Sequence, residues 1–251
     1  MKVLLINGSP HPAGCTYTAL HKVEKTLQKH GIGTEIVQIG TKPVAGCIAC
    51  GKCREGSGCI FDDGVNAVAA RLDEFDALIV GAPVYYAGPS AQCTAFLDRL
   101  FYSAAGKLKG KPGAAVVSCR RGGASASYDR LLKYFGINSM PIVTSQYWNQ
   151  VHGNRPEEVL RDEEGMQTMR TLGENMAWLL KCIEAGRQAG VLPPQYEPVV
   201  KTNFIRGFRP SGFPEGSVCQ KSKWTFDKLP AKLQNIKLYF YFAILSAAAG
   251  D

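Results

Sequence analysis

Short, continuous apolar runs alternate with amphipathic helical patterns along most of the chain, and this alternation limits the fold more than any other feature. KVLLI (2–6), TEIVQI (34–39), ALIVGAP (77–83), GAAVVS (113–118) and SMPIVTS (139–145) read as strands. Runs without polar alternation suit strands covered on both faces, as in parallel sheets. Between them lie helical patterns. The first runs from Thr16 to His30, with Leu20, Val23 and Leu27 on one face, and Gly31 ends it. Asp62 and Asp63 stand where an N-cap is needed before VNAVAARL. Ser90 caps a third helix to about Ser103, a fourth reaches Tyr134, and a long one spans about Pro156 to Ala185. Strand and helix repeated five times predict a doubly wound α/β fold with a parallel sheet. No internal sequence repeat accompanies the pattern.

In such sheets ligands sit beyond the carboxyl ends of the strands, so the loops after the strands carry the chemistry. The first, NGSPHPAGCTYT (7–18), offers the hydroxyls of Ser9, Thr16 and Thr18 together with a helix start. Backbone donors and the helix dipole make that an anion cradle. It lacks both the dinucleotide fingerprint and the triphosphate-loop spacing, so a terminal phosphate suits it better. The alternative is an ordinary capped loop. GAPVYYAGPS (81–90) sets Tyr85 and Tyr86 after a buried strand, where aromatics can flank a flat ring. SCRRGGAS (118–125) adds Gly122 and Gly123, which let backbone approach a ligand, and the donors of Arg120 and Arg121. SQYWNQVHG (145–153) brings Tyr147, Trp148 and His152, and a lone histidine is more often structural. Each loop alone has an ordinary structural reading. Together they describe a pocket for a flat ring ending in phosphate, the shape of a flavin mononucleotide (FMN).

The second loop differs. GCIACGKCREGSGC (46–59) places Cys47, Cys50, Cys53 and Cys59 in one C-x2-C-x2-C-x5-C run. The chain has nine cysteines, and the remaining five are scattered. The start, MKVLLINGSP, has too short an apolar run for a signal peptide. A cytoplasmic, reducing setting follows, where clustered cysteines bind metal more often than they pair. Three readings stay open: a four-iron 4Fe-4S cluster, a reduced metal-free loop lining a pocket or interface, or zinc, which generally prefers two separated knuckles. Lys52 and Arg54 would offset part of the charge of four thiolates. The net charge of +8 favours anionic ligands and acidic partners. No basic run interleaved with aromatics suggests nucleic-acid binding. No apolar stretch reaches the ~18–20 residues of a membrane span. Residues 1–206 read as one domain. Residues 207–251 read as an extension, with LYFYFAILSAAAG (238–250) a docked helix or disordered tail rather than a membrane-surface anchor.

MKVLLINGSPHPAGCT, the cysteine run followed by FDDGV, and GAPVYYAGPSAQCTAFLDRL resemble the flavodoxin-fold NADPH-dependent FMN reductases, and within them the iron–sulfur flavoproteins. The resemblance covers residues 1 to about 206. It implies a flavodoxin-like five-stranded parallel sheet of order 2-1-3-4-5. It implies FMN phosphate beside Ser9, Gly14, Cys15 and Thr16, within the stretch that also holds His11 and Tyr17. Pro83, Val84, Tyr85 and Tyr86 would flank the isoalloxazine, with Ser118, Arg120, Gly122 and Gly123 at its other edge. His11 stands where the family often has arginine or lysine, and Cys15 where it often has asparagine or serine. The implied activity is an FMN-dependent oxidoreductase. Electrons would come from NAD(P)H or a ferredoxin-like donor and pass to a small-molecule acceptor or protein partner. Homodimers or homotetramers are expected. The flavin performs the chemistry, so no catalytic side chain is named. The competing readings are a non-catalytic electron carrier and a binding module with a zinc-holding cysteine loop.

Overall fold

The structure is a computed structural model that describes residues 1–56, 58–198 and 200. Met1–Gln195 form one compact unit. The elements, in chain order, are β1 (Lys2–Asn7), α1 (Cys15–Lys29), β2 (Gly33–Gln38), α2 (Gly64–Arg71), β3 (Ala77–Tyr85), β4 (Gly88–Pro89), α3 (Ala91–Leu108), β5 (Gly113–Cys119), α4 (Ala124–Ile137), β6 (Gln150–His152), α5 (Pro156–Arg161) and α6 (Glu163–Gln188). The sheet order is β2-β1-β3-β5-β6, with β4 pairing back onto β3. Every pair along that path is parallel, whereas β4 is antiparallel. With the two-residue β4 set aside, the parallel strands read 2-1-3-4-5, the flavodoxin-like order expected.

Strand periodicity divides the core in two. Leu4, Ile6, Leu78, Val80, Ala115 and Val117 face one way, against buried residues of α2, α3 and α4. Val3, Leu5, Ala77, Ile79, Ala114 and Val116 face the other way, against α1 and α6. Both faces are covered, so neither can be polar, and the strands are apolar throughout. Asp63 rather than Asp62 caps α2, accepting from Val65 N–H at 3.1 Å. Ser90 caps α3 as predicted. That helix continues past Ser103 to Leu108 through a non-helical Ala104.

Two expectations need correction. The fifth strand does not occupy 139–145. Ser139 lies in the left-handed region (φ 53°) and Pro141 has no N–H to donate. Only Ile142 bridges Gly113, flanked by Gly113 N–H to Pro141 O and Val143 N–H to Gly113 O, each 2.8 Å. The chain then leaves the ladder and rejoins it at β6, where Gln150 pairs with Val117. The long final helix is also broken. Asp162 ends α5 and caps α6, accepting from Gly165 N–H at 2.9 Å. The expected boundary near 206 and the extension 207–251 lie outside the described residues. Among the described residues no helix is long and apolar enough to cross a membrane.

Leu97 of α3 is fully buried between helix and sheet. Leu97→Ala should cost ~2–5 kcal/mol in urea denaturation. A loss below about 0.5 kcal/mol, the range of an ordinary surface substitution, would contradict this packing.

Candidate functional site

The loop after β1 is shaped by one buried side chain. Asn7, with no solvent exposure, accepts from Ser9 N–H at 3.2 Å and donates to His11 O at 3.4 Å and to Gln38 Oε1. Gln38 in turn donates to Ser9 O. Ser9 Oγ accepts from His11 N–H at 3.1 Å. A turn so constrained leads into α1 at Gly14. No side chain caps that helix and its first turn holds no acidic residue. Among the described residues the N–H groups of Thr16 and Tyr17 meet no side-chain acceptor, and that of Cys15 meets only its own sulfur. Ser9 and Thr16 are buried, Gly14, Cys15 and Tyr17 half-buried, and His11 exposed. Gly8 lies against Cys93 and the carbonyl of Gly81, 2.8 Å from where a Cβ would stand.

The loops after β3 and β5 close on this one. Ser90 Oγ donates to Gly8 O at 2.9 Å, and Thr16 Oγ1 and Ser118 Oγ share a buried 2.8 Å hydrogen bond. Cys15 Sγ reaches Gly153 O at 3.6 Å. Val84 and Tyr85 pair with β4, leaving Tyr86 and Ala87 as the two tip residues of a hairpin. Both tip residues have positive φ, 49° and 59°. That is the geometry of a type I′ turn, normally filled by Gly or Asn. Pro83 and Val84 are half-buried, while Tyr85 and Tyr86 stand in solvent. Gly123 (φ 89°) packs so closely that a Cβ would lie 2.7 Å from Ala87 Cα and 2.9 Å from Val84 Cγ1. The structure thus brings Ser9, Gly14, Thr16, Ser118, Val84 and Gly123 to one edge. Arg120, Arg121 and Gly122 lie exposed at its lip, without an ion pair among the described residues. The residues fit an FMN: a helix start with no acidic residue in its own first turn suits the phosphate, and the half-buried Pro83 and Val84 suit the ring. The backbone N–H of His152 donates to Asp162 Oδ2 at 2.6 Å, and its exposed imidazole lies 3.6 Å from the same carboxylate.

The cysteine loop forms a second centre. Cys47, Cys50, Cys53 and Cys59 line one small, open cavity together with Ile48, Ile60, Phe61, Arg99 and Tyr102. All four are free thiols. Gly51 and Gly56, both left-handed, bracket a single 3₁₀ turn that carries Cys53. Among the described residues no three His, Cys, Asp or Glu converge closely enough for a single metal ion. Cys59 is the most firmly held. Asn66 on α2 grips its backbone at both ends, accepting from Cys59 N–H and donating to Cys59 O, each 2.8 Å. Arg99 Nε donates to its sulfur at 3.1 Å.

Arg99 is 1% exposed. It makes bidentate bonds to Asp63 at 2.6 and 2.8 Å, reaches Ala45 O at 3.3 Å and Phe61 O at 3.4 Å, and lies 4.8 Å from the Phe61 ring centre. Desolvation raises the Asp63 carboxyl, but the Arg99 bonds, Val65 N–H and the guanidinium charge outweigh it and hold it below its usual range. Sequence reasoning missed Arg99, Asn66, Asn7 and Gln38. The short spacing from Asn66 to the last cysteine was the one signal available.

The other sulfurs contrast with the loop. Burial pushes the Cys93 thiol up to about 12. Burial, with the charges of Glu158 and Glu157, also raises Cys15, against its own backbone N–H. In folded, iron-free protein at neutral pH, iodoacetamide should modify Cys47 and Cys50 and leave Cys93 unmodified until denaturation, as read by peptide mass spectrometry. Early labelling of Cys93 would contradict its burial.

The model of the NADPH-dependent FMN reductase family matches residues 1–154. An iron–sulfur flavoprotein of Methanocaldococcus jannaschii is 33% identical over 192 residues, covering 73% of this chain and 100% of that protein. One from Methanosarcina thermophila is 30% identical over 192 residues, covering 74% and 99%. Among solved structures, RosB with a bound flavin-phosphate intermediate superposes with a TM-score of 0.58 at 15% identity, covering 89% of this chain and all of that one. A WrbA-like flavodoxin protein from Agrobacterium tumefaciens gives 0.52 at 17% identity, covering 72% and 98%. These two likenesses speak to the fold, which is flavodoxin-like. Sequence match and strand order agree: the chain belongs to the NADPH-dependent FMN reductase family and is similar to its iron–sulfur flavoproteins.

Proposed function

We propose that this protein is an FMN-dependent oxidoreductase whose cysteine loop carries a four-iron cluster for single-electron exchange. The uncapped N-terminus of α1, whose own first turn holds no acidic residue, carries the flavin half of this reading. The backbone N–H groups of Cys15, Thr16 and Tyr17, with the hydroxyls of Ser9 and Thr16, would bind a dianionic phosphate. The Tyr85–Tyr86 hairpin would orient the ring, and Gly123 would hold the hairpin in place. Ser118 would fix Thr16 from the opposite side. Arg120, Arg121 and Gly122 would meet the phosphates of an arriving NAD(P)H at the lip. Once bound, FMN supplies the hydride and electron chemistry. The four cysteines in one cavity support the cluster half, and the names of the relatives agree with it. The exposed Tyr85 and Tyr86 suit a second copy closing the flavin site, to be checked by light scattering with and without FMN.

Anaerobically purified protein should show the two flavin bands over a broad additional absorbance, with about four irons per chain. Cys53→Ser should lose the iron and keep the flavin. Protein that takes up no FMN when it is supplied overturns the proposal. Gly8→Ala, which crowds Cys93 and Gly81 O, should raise the FMN dissociation constant at least tenfold, about 1.4 kcal/mol. Unchanged affinity would place the phosphate elsewhere.

One observation favours a second reading, that of an electron carrier: Cys47 and Cys50 are exposed, so the cavity is open to a protein partner. Steady-state NADPH oxidation separates the two. Flavin-dependent turnover supports the oxidoreductase. Reduction only by a ferredoxin-like protein supports the carrier.

A further inference from the structure

The geometry points to Arg99 as the positioning residue of the cysteine cavity: its Nε–H on Cys59 Sγ raises the reduction potential of the cluster the four cysteines would hold. The inference rests on the cluster reading above and concerns only what this arginine does to it.

A guanidinium has five N–H donors, and all of Arg99's have an acceptor. Nε–H points to Cys59 Sγ. One terminal nitrogen serves Ala45 O and Asp63 Oδ2, and the other serves Phe61 O and Asp63 Oδ1. A cation this buried is costly unless paired, and Asp63 provides the pair. Four of the five bonds can be read as a staple gathering the two ends of the loop, at Ala45 and at Phe61–Asp63. The fifth cannot. A neutral thiol is a weak acceptor, so a desolvated guanidinium N–H aimed at one is poorly served. A thiolate bonded to iron is anionic and makes a charge-assisted bond. The same donor then becomes well matched. Cys59 is also the cysteine whose backbone Asn66 holds at both ends, so the N–H and the sulfur meet without further ordering.

Reduction adds one electron, and so one negative charge, to the cluster, with no bond made or broken. In the experiment dithionite supplies the electron. A donor hydrogen-bonded to a ligand sulfur stabilises the added charge, and hydrogen bonds to sulfur are among the determinants of cluster potential. Asp63 works in the opposite sense because it neutralises part of the arginine's charge. It also caps α2, and asparagine caps as well as aspartate. Asp63→Asn therefore weakens the neutralisation and leaves the helix start intact.

The test is an anaerobic redox titration of iron-loaded holoprotein, with the cluster followed by electron paramagnetic resonance and the flavin by absorbance. Arg99→Gln should lower the cluster midpoint by about 59 mV or more, a tenfold change for a one-electron couple, and leave the flavin midpoint unmoved. Asp63→Asn should raise the cluster midpoint. If Arg99 is only a staple, both variants lose thermal stability while their cluster potentials stay at the wild-type value, which overturns the inference. Should Arg99→Gln load no iron, Asp63→Asn decides: an unmoved or lowered potential overturns the inference and a raised one upholds it. Wild-type protein that holds no iron after anaerobic reconstitution overturns the cluster reading itself, and this inference with it.

Discussion

A parallel ladder covered on both faces is the constraint on which the rest of the molecule depends. β3 is hydrogen-bonded to β1 on one side and β5 on the other, in parallel on both. Parallel strands cannot be joined by tight hairpins, so each connection crosses over through a helix. All the loops that follow strands therefore leave from one edge. Residues 8–14, 39–63, 86–87 and 120–123 owe their proximity to this topology. Neither the loop after β1 nor the cysteine cavity would have a partner surface without it.

Helix α3 ties the two centres to that edge. Its cap Ser90 bonds the carbonyl of Gly8 in the first loop. Gln92 bonds Gly40 O at 2.6 Å and Lys42 O at 3.0 Å, where the chain enters the cysteine loop. Arg99, two turns further on, gathers Ala45, Cys59, Phe61 and Asp63. Gln92, Phe96, Arg99 and Ser103 fall on one stripe at helical spacing. The stripe is polar at the two places where it meets irregular backbone and apolar at Phe96, where it meets the core. A loop that lacks regular structure over most of its length thus gains order from a helix far away in sequence. Gln38, at the end of β2, links the start of the same loop to Asn7 and to the turn at Ser9.

The strands of the sheet core were legible because burial on both faces removes polar alternation, and KVLLI and ALIVGAP show it plainly. The caps at Asp63 and Ser90 were legible because capping chemistry is local. SMPIVTS misled because its composition suits a strand, while Pro141 and the left-handed Ser139 keep it from pairing beyond a single bridge. The helix break at Asp162 was missed because periodicity runs through it. Arg99 was invisible for a different reason. In FLDRL an arginine beside an aspartate reads as a solvated face. Asp98 is indeed exposed, whereas Arg99 turns inward to a carboxylate far away in sequence. No local pattern announces a buried ion pair whose partner sits on another element.

By itself the sequence determined the fold class and the position of the first four chemistry-bearing loops, because these follow from residue periodicity and capping, which act over short stretches; the strand order came from the family resemblance. Only the tertiary structure decided which side chains within those loops meet: Thr16 with Ser118, Gly123 with the tyrosine hairpin, Arg99 with Cys59 and Asp63. Those contacts join residues tens of positions apart, and what selects them is the need to satisfy buried polar groups, which exists only after the core has closed.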